Sequence, residues 1–329
     1  MAMKRKRIIG KGICFACLAL AALGLSAATV KLNEIRLVDD STTLSAASPE
    51  AAASAPKFTH GPAALAFDGT YIWVARQFSN SVTRVKASNG TKGGTFAVGE
   101  RPVALAFDKS NVWVANFLSD NVMKLRTSDG SVLATVPVGS GPSGLAFDGT
   151  YIWVANRNSN TVSKVRSRDG LVVGTFAVGA SPLGLAFDGA HIWVANNIDN
   201  TITKLRASDG AVLGTYPAGL GPFGVAFDGA SIWVTNFFYV TVIKIRPLDG
   251  AVLGTFKVGE CPTGITFDGS TLWIANSGAN TVSRIAPGTG SVLATFGTGK
   301  APFGVAFDGA NIWVANLGSD SVSTTTAIQ

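Results

Sequence analysis

The chain has 329 residues, with 27 Lys+Arg against 20 Asp+Glu and a formal net charge of +7 at pH 7. Five of the cations (Lys4, Arg5, Lys6, Arg7, Lys11) crowd the start, where no acidic residue stands. The rest carries an excess of only two, too small for a nucleic-acid binder. Cys14 and Cys17 sit in the same leading segment, so Cys261 is the single thiol beyond it, which excludes an internal disulfide there; no Cys/His spacing suggests zinc.

After the basic start comes an apolar run from Ile13 to about Leu25, then Ser26-Ala27-Ala28, with small residues where a signal peptidase reads. Residues 1–28 are predicted to be an export signal cut after Ala28. Stretched to Val30, the run reaches the roughly 18 residues of an uncleaved membrane anchor, but the small residues that end it favour cleavage. Neither Cys14 nor Cys17 has the flanking residues of a lipoprotein site. The expectation is an exported protein, in the periplasm, at the cell surface or outside the cell, with no membrane attachment after cleavage. Residues 29–56, rich in Ala, Ser and Pro, read as a flexible tether, and residues 57–329 as the folded domain.

The folded part is one 40-residue unit written seven times. Prolines recur at Pro62, Pro102, Pro142, Pro182, Pro222, Pro262 and Pro302, and tryptophans at Trp73, Trp113, Trp153, Trp193, Trp233, Trp273 and Trp313. A period of this size marks a solenoid, propeller or array. In the third copy Gly144 to Phe147 is apolar, Asp148-Gly149 turns the chain, and Tyr151 to Ala155 is a β-branched and aromatic run. A polar turn from Asn156 to Asn160 follows, then an alternating stretch from Thr161 to Arg166, a second turn at Asp169-Gly170, and a last strand from Leu171 to Val178. Four antiparallel strands without a helix make one propeller blade, and blades stacked face to face explain why the second strand is apolar on both sides. The predicted fold is therefore an all-β, seven-bladed β-propeller. The seventh copy lacks a fourth strand, so the ring is predicted to close with an N-terminal strand, assigned to Lys57-Phe58-Thr59. The stretch from Lys31 to Val38 has strand character but lies out of register with that place.

The strings Ile152-Trp153-Val154-Ala155-Asn156, Asn160 to Val165 and Gly141 to Gly149 resemble the YVTN-type β-propeller repeat family across all seven copies. The resemblance implies an exported propeller of a family known mostly for binding or surface proteins. The pattern is also similar in scaffold to the streptogramin B lyases, whose metal-assisted elimination uses histidine and glutamate. That match fails at the chemistry: beyond the leading segment only His60 and His191 remain, and Phe58 and Gly189 stand where the glutamates would precede them.

Residues present in every copy are read as structural. The tryptophans are assigned to packing between blades, and Asp68, Asp108, Asp148, Asp188, Asp228, Asp268 and Asp308 to turn chemistry. The asparagine after the second strand is expected to cap its own turn, with Arg76 replacing it in the first copy. Two G-x-G-x-x-G strings, from Gly139 and from Gly219, precede strands rather than helices, which removes a dinucleotide site.

Function is sought where the copies differ, on the face where the inter-blade loops and the second-to-third-strand turns emerge around the channel mouth. The slot before each Gly/x-Pro pair reads His60, Glu100, Ser140, Ala180, Leu220, Glu260 and Lys300, which predicts an ionic arc (Glu260, Lys300, His60, Glu100, with Arg101) facing an apolar one. Large apolar residues interrupt the polar turn at Phe78, Phe117 and Phe237-Phe238-Tyr239. Arg76, Phe78, Arg101, Phe117, Phe237, Phe238 and Tyr239 are accordingly the expected binding residues. The partner is a small molecule, peptide or protein bound by a monomer, with no cofactor and no resident metal. The enzyme alternative is a lyase- or lactonase-like site of His60, Glu100, Glu260 and Lys300, which alone would require a divalent metal. A structural cell-surface protein is the third reading.

Overall fold

The computed structural model describes residues 30–31, 33–36 and 61–326. The expected export signal, most of the tether, His60 and the strand assigned to residues 57–59 lie outside the described residues. The described residues form seven sheets and no helix.

Blade 3 shows the common plan. Its strands run Pro142–Phe147, Tyr151–Asn156, Thr161–Arg166 and Val172–Ala177, hydrogen-bonded in that order and all antiparallel. The innermost strand of each blade packs against that of the next, and the innermost strand of blade 7, Pro302–Phe307, meets that of blade 1, Pro62–Phe67, closing the ring.

The repeated residues stack these sheets. Trp73 packs with Leu105, Val112, Val114 and Leu125 of blade 2. Trp313 repeats the arrangement across the closing seam, against Leu65, Ile72, Val74 and Val85 of blade 1. Six of the seven rings are wholly buried and Trp313 nearly so, as inter-blade packing requires. Each indole N–H also donates to the aspartate five residues before it, at 2.6 to 2.8 Å. In blade 3 the other oxygen of Asp148 accepts the amides of Thr150 and Tyr151 at 2.8 and 2.7 Å. The aspartate thus holds its turn as expected and also anchors the tryptophan.

A second repeated device joins the blades. A cation on the third strand lies over its own blade's tryptophan and reaches a carbonyl of the next blade. Lys164 Nζ sits 5.1 Å from the Trp153 ring centroid and donates to Ala207 O at 2.7 Å, and Lys204 and Lys244 do the same toward Pro247 and Pro287. Blade 7 carries Thr324 there, so no cation crosses the closing seam from that position.

Two sequence expectations are corrected. The fourth strand of blade 7 is Asn33–Arg36, paired antiparallel with Ser321–Thr326, so it lies within the stretch read as tether. Val30–Lys31 lies parallel on the outer strand of blade 6, so the N-terminal stretch contacts two neighbouring blades. The asparagines after the second strand do not cap their turns through their side chains. Asn156 and Asn196 donate across to the hydroxyls of Thr161 and Ser163 and of Thr201 and Thr203, because their side chains point into the sheet packing and are fully buried.

Candidate site at the channel mouth

Each blade brings two segments to one face of the ring: the approach to its innermost strand and the turn between its second and third strands. Backbone bonds tie them, as from Arg157 N to Gly141 O (2.9 Å) and Asn158 N to Ser140 O (3.0 Å). A side chain from the preceding blade completes the tie: Asp120 Oδ1 accepts Gly141 N at 2.7 Å, and Asn160 Oδ1 accepts Ser181 N at 2.9 Å. These residues adopt left-handed backbone, φ 50° at Asp120 and 56° at Asn160, which Asn and Asp tolerate better than other side chains. In blade 5 that position holds Val240, which has no acceptor to offer, so this turn departs from the common plan.

That departure accompanies an aromatic cluster. Phe237 lies 5.9 Å from Phe223 and 5.3 Å from Phe238, ring centroid to ring centroid. Phe223 in turn meets Phe303 of blade 7 edge to face at 5.2 Å. The two rings can meet across blade 6 because the equivalent residue there is the small Thr263. Its hydroxyl is buried against Pro302 O (3.2 Å) and Phe303 O (3.0 Å). Tyr239 stands exposed beside this cluster, and 60 % of Phe238 remains open to solvent.

The other side of the mouth is cationic. The Arg101 guanidinium lies over the Phe117 ring at 5.0 Å, and its Nε is buried without a hydrogen-bond acceptor. On blade 3, Arg157 donates from Nε to Ser181 Oγ at 3.0 Å. The Arg157 side chain is exposed, yet desolvation by the protein around its guanidinium, followed by the positive charge of Arg101, holds its pKa below the ordinary arginine value. Arg76, in the place of the buried asparagine, is itself buried.

Of the residues named from sequence, the structure joins Phe237 with Phe238 and Arg101 with Phe117. Phe78 is separate: it folds over Gly61 beside Leu317, half exposed. Glu100, Glu260 and Lys300 are exposed, and among the described residues they make no ion pair with one another or with Arg101. Among the described residues no group of three His, Cys, Asp or Glu side chains converges.

Sequence reasoning missed Phe223, Phe303 and Arg157. The signal was present at two positions that differ widely between copies. The residue after the proline reads Ala63, Val103, Ser143, Leu183, Phe223, Thr263, Phe303, and the first turn residue reads Gln77, Phe117, Arg157, Asn197, Phe237, Ser277, Leu317.

Fold and mouth together define a seven-bladed β-propeller with an asymmetric mouth built on symmetric blades. No family model matches the chain, and neither does any curated protein, so the YVTN-type resemblance is one of repeat strings. Solved structures do match. Hydrazine synthase of Kuenenia stuttgartiensis aligns with a TM-score of 0.74 at 19 % identity, covering 86 % of this chain and 100 % of that one. A streptogramin B lyase aligns at 0.71 and 18 %, covering 89 % and 96 %. A catalytically inactive variant of virginiamycin B lyase from Staphylococcus aureus, with quinupristin, aligns at 0.73 and 19 %, covering 91 % and 99 %. At such identities the likeness is one of fold alone.

Proposed function

We propose that this protein is an exported binding module whose ligand or partner docks on the channel-mouth face. The observation that carries this reading is the Phe223–Phe237–Phe238–Phe303 cluster. Four aromatic rings in contact, two of them in the turn that reads Arg157-Asn158-Ser159-Asn160 in the third copy, stand partly exposed on the channel-mouth face. Exposed apolar surface costs solubility, and clustered aromatic anchors are what recognition sites use. Export rests on the basic and apolar leading segment with its small-residue end.

The lyase-like alternative draws support from scaffold likeness alone. Its described candidates, Glu100, Glu260 and Lys300, are solvent-exposed rim residues.

The test is a thermal-shift screen of small molecules and peptides on wild-type protein, repeated on Phe237→Ala and Phe303→Ala. Stabilisation by the hits should vanish in both variants; hits that survive both overturn the mouth as the site. Turnover of cyclic depsipeptides or lactones that is lost in Glu100→Gln and Glu260→Gln would replace this reading with the enzymatic one.

A further inference from the structure

The two sides of the mouth differ in chemistry, and ring geometry sets them opposite each other. In a seven-blade ring the seam between blades 2 and 3 lies diametrically across from blade 6. Arg101 and Arg157 belong to blades 2 and 3, and the Phe223–Phe303 contact spans blade 6. A cationic wall therefore faces an aromatic one.

Among the described residues both arginines keep guanidinium donors that no protein acceptor takes. Desolvation first and the positive charge of Arg101 second lower the Arg157 pKa, so the two like charges repel across the seam. Among the described residues neither has a carboxylate partner, although Glu100 is the chain neighbour of Arg101. Arg101 Nε is buried with no acceptor, and the one hydrogen bond given to the Arg157 guanidinium goes to a neutral hydroxyl. Through Ser181 the Arg157 Nε reaches blade 4, while the repeated inter-blade bonds of blades 2 and 3 come from Lys124 and Lys164 on their third strands, each with a carbonyl acceptor. The unused donors at the mouth match an oxyanion, which would take the buried Arg101 Nε–H together with the exposed Arg157 N–H groups and screen one guanidinium from the other.

We infer that the mouth takes an amphiphilic anion in one orientation. Its carboxylate, sulfonate or phosphate sits between Arg101 and Arg157, and its aromatic or branched apolar end lies against Phe223, Phe237 and Phe303. This deepens the mouth-face reading and rests on it. Specificity arises because the two ends cannot exchange places: reversal would bury the acid among aromatic rings and leave both guanidinium groups unpaired.

The test uses dansyl-phenylalanine and its methyl ester, which share the rings and differ in charge, titrated by fluorescence against the purified full chain. Wild-type protein should bind the acid at least about ten-fold more tightly than the ester, as a charge-assisted bond in a partly buried site implies. Arg101→Gln and Arg157→Gln should each reduce the acid to the level of the ester without changing the ester. Phe303→Ala should weaken both probes alike by about ten-fold, and Phe303→Leu, which keeps the packing, should weaken them less. Equal binding of acid and ester by wild type, a preference that survives both Gln variants, or no saturable binding of either probe overturns the inference. If the Phe303 variants still weaken binding while the Arg variants do nothing, the anion assignment falls and the mouth remains the site. If none of the variants matters, the mouth-face reading falls with it.

Discussion

Replacing Asp148 by Asn separates the turn from the anchor. Asn is itself a good turn residue, and its side-chain oxygen can still accept the amides of Thr150 and Tyr151. Were the aspartate only a turn residue, Asp148→Asn would be nearly neutral. In the structure, however, the second oxygen accepts Trp153 Nε1 at 2.7 Å, and the indole is wholly buried. Asn would set an NH2 donor against that N–H, or flip and abandon the two amides. The lost charge-assisted bond is worth about 1.5–3 kcal/mol, and a stranded buried donor costs about 1–3 kcal/mol. The two overlap, so we expect a net loss of about 3 kcal/mol. Guanidinium titration followed by tryptophan fluorescence and far-UV circular dichroism measures it as a lower midpoint at unchanged slope. In the Trp153→Phe background, where no indole N–H remains, the same substitution should cost less than about 1 kcal/mol. A single-variant loss within about 0.5 kcal/mol of zero would refute the anchor.

The closing strand can be tested by truncation. A chain beginning at Leu37 lacks the strand that pairs with Ser321–Thr326 and should have a lower midpoint than one beginning at Thr29; equal midpoints would return the closing role to residues 57–59. Lys204→Met keeps the length of the side chain but removes its bond to Pro247 O, at 2.7 Å, and its contact with the Trp193 ring. The expected loss is about 2 kcal/mol in the same titration, since Lys204 is buried and its acceptor would be stranded. Gly304→Ala would set a Cβ 2.7 Å from Ala63 O across the closing seam, and the backbone must shift to make room. It should destabilise by about 1–3 kcal/mol. Acid should loosen the ring through Asp188 and Asp268. Burial alone would raise their pKa values, but bonds from Trp193 and Trp273, with those from nearby amides, outweigh it and bring Asp268 to about 2. A carboxylate lowered in the folded state stabilises above its unfolded pKa of about 4 and loses that contribution as pH falls toward the folded value. Midpoints should therefore hold to about pH 5 and fall below pH 4, and the fall should be shallower in Asp268→Asn.

The repeat made the architecture legible because identical residues at identical blade positions can only be scaffolding. Trp153 and Asp148 could be assigned to packing and to a turn with no coordinates. Their bond to each other could not, because a five-residue separation across a hairpin looks like any other spacing. Lys164 escaped notice for a related reason. A cation in an alternating third strand reads as solvent-facing until the next blade's carbonyl is seen 2.7 Å from its ammonium. The closing strand was misplaced because Lys57-Phe58-Thr59 sits in the right frame of the repeat. An edge strand, though, is selected by backbone pairing, and with one neighbour it needs little side-chain complementarity. Asn33–Arg36 meets that weak demand from a distance that repeat spacing does not constrain.

The mouth illustrates the opposite limit. Comparing copies at the rim slot found charges that the structure leaves dispersed in solvent. The same comparison one strand end further in, at Phe223 and Phe303, would have found two rings that touch. Variation between copies is informative only at positions where the fold makes side chains converge. In a ring, those are the positions nearest the axis, since lateral distance between blades shrinks toward it. Phe223 and Phe303, two blades apart, can meet only there, and only over a residue as small as Thr263. Thr263→Phe should therefore part the two rings without touching either one. A loss of probe affinity like that expected of Phe303→Ala, in a variant whose denaturation midpoint shows it still folds, would tie recognition to that convergence. Unchanged binding would show that the rings act separately.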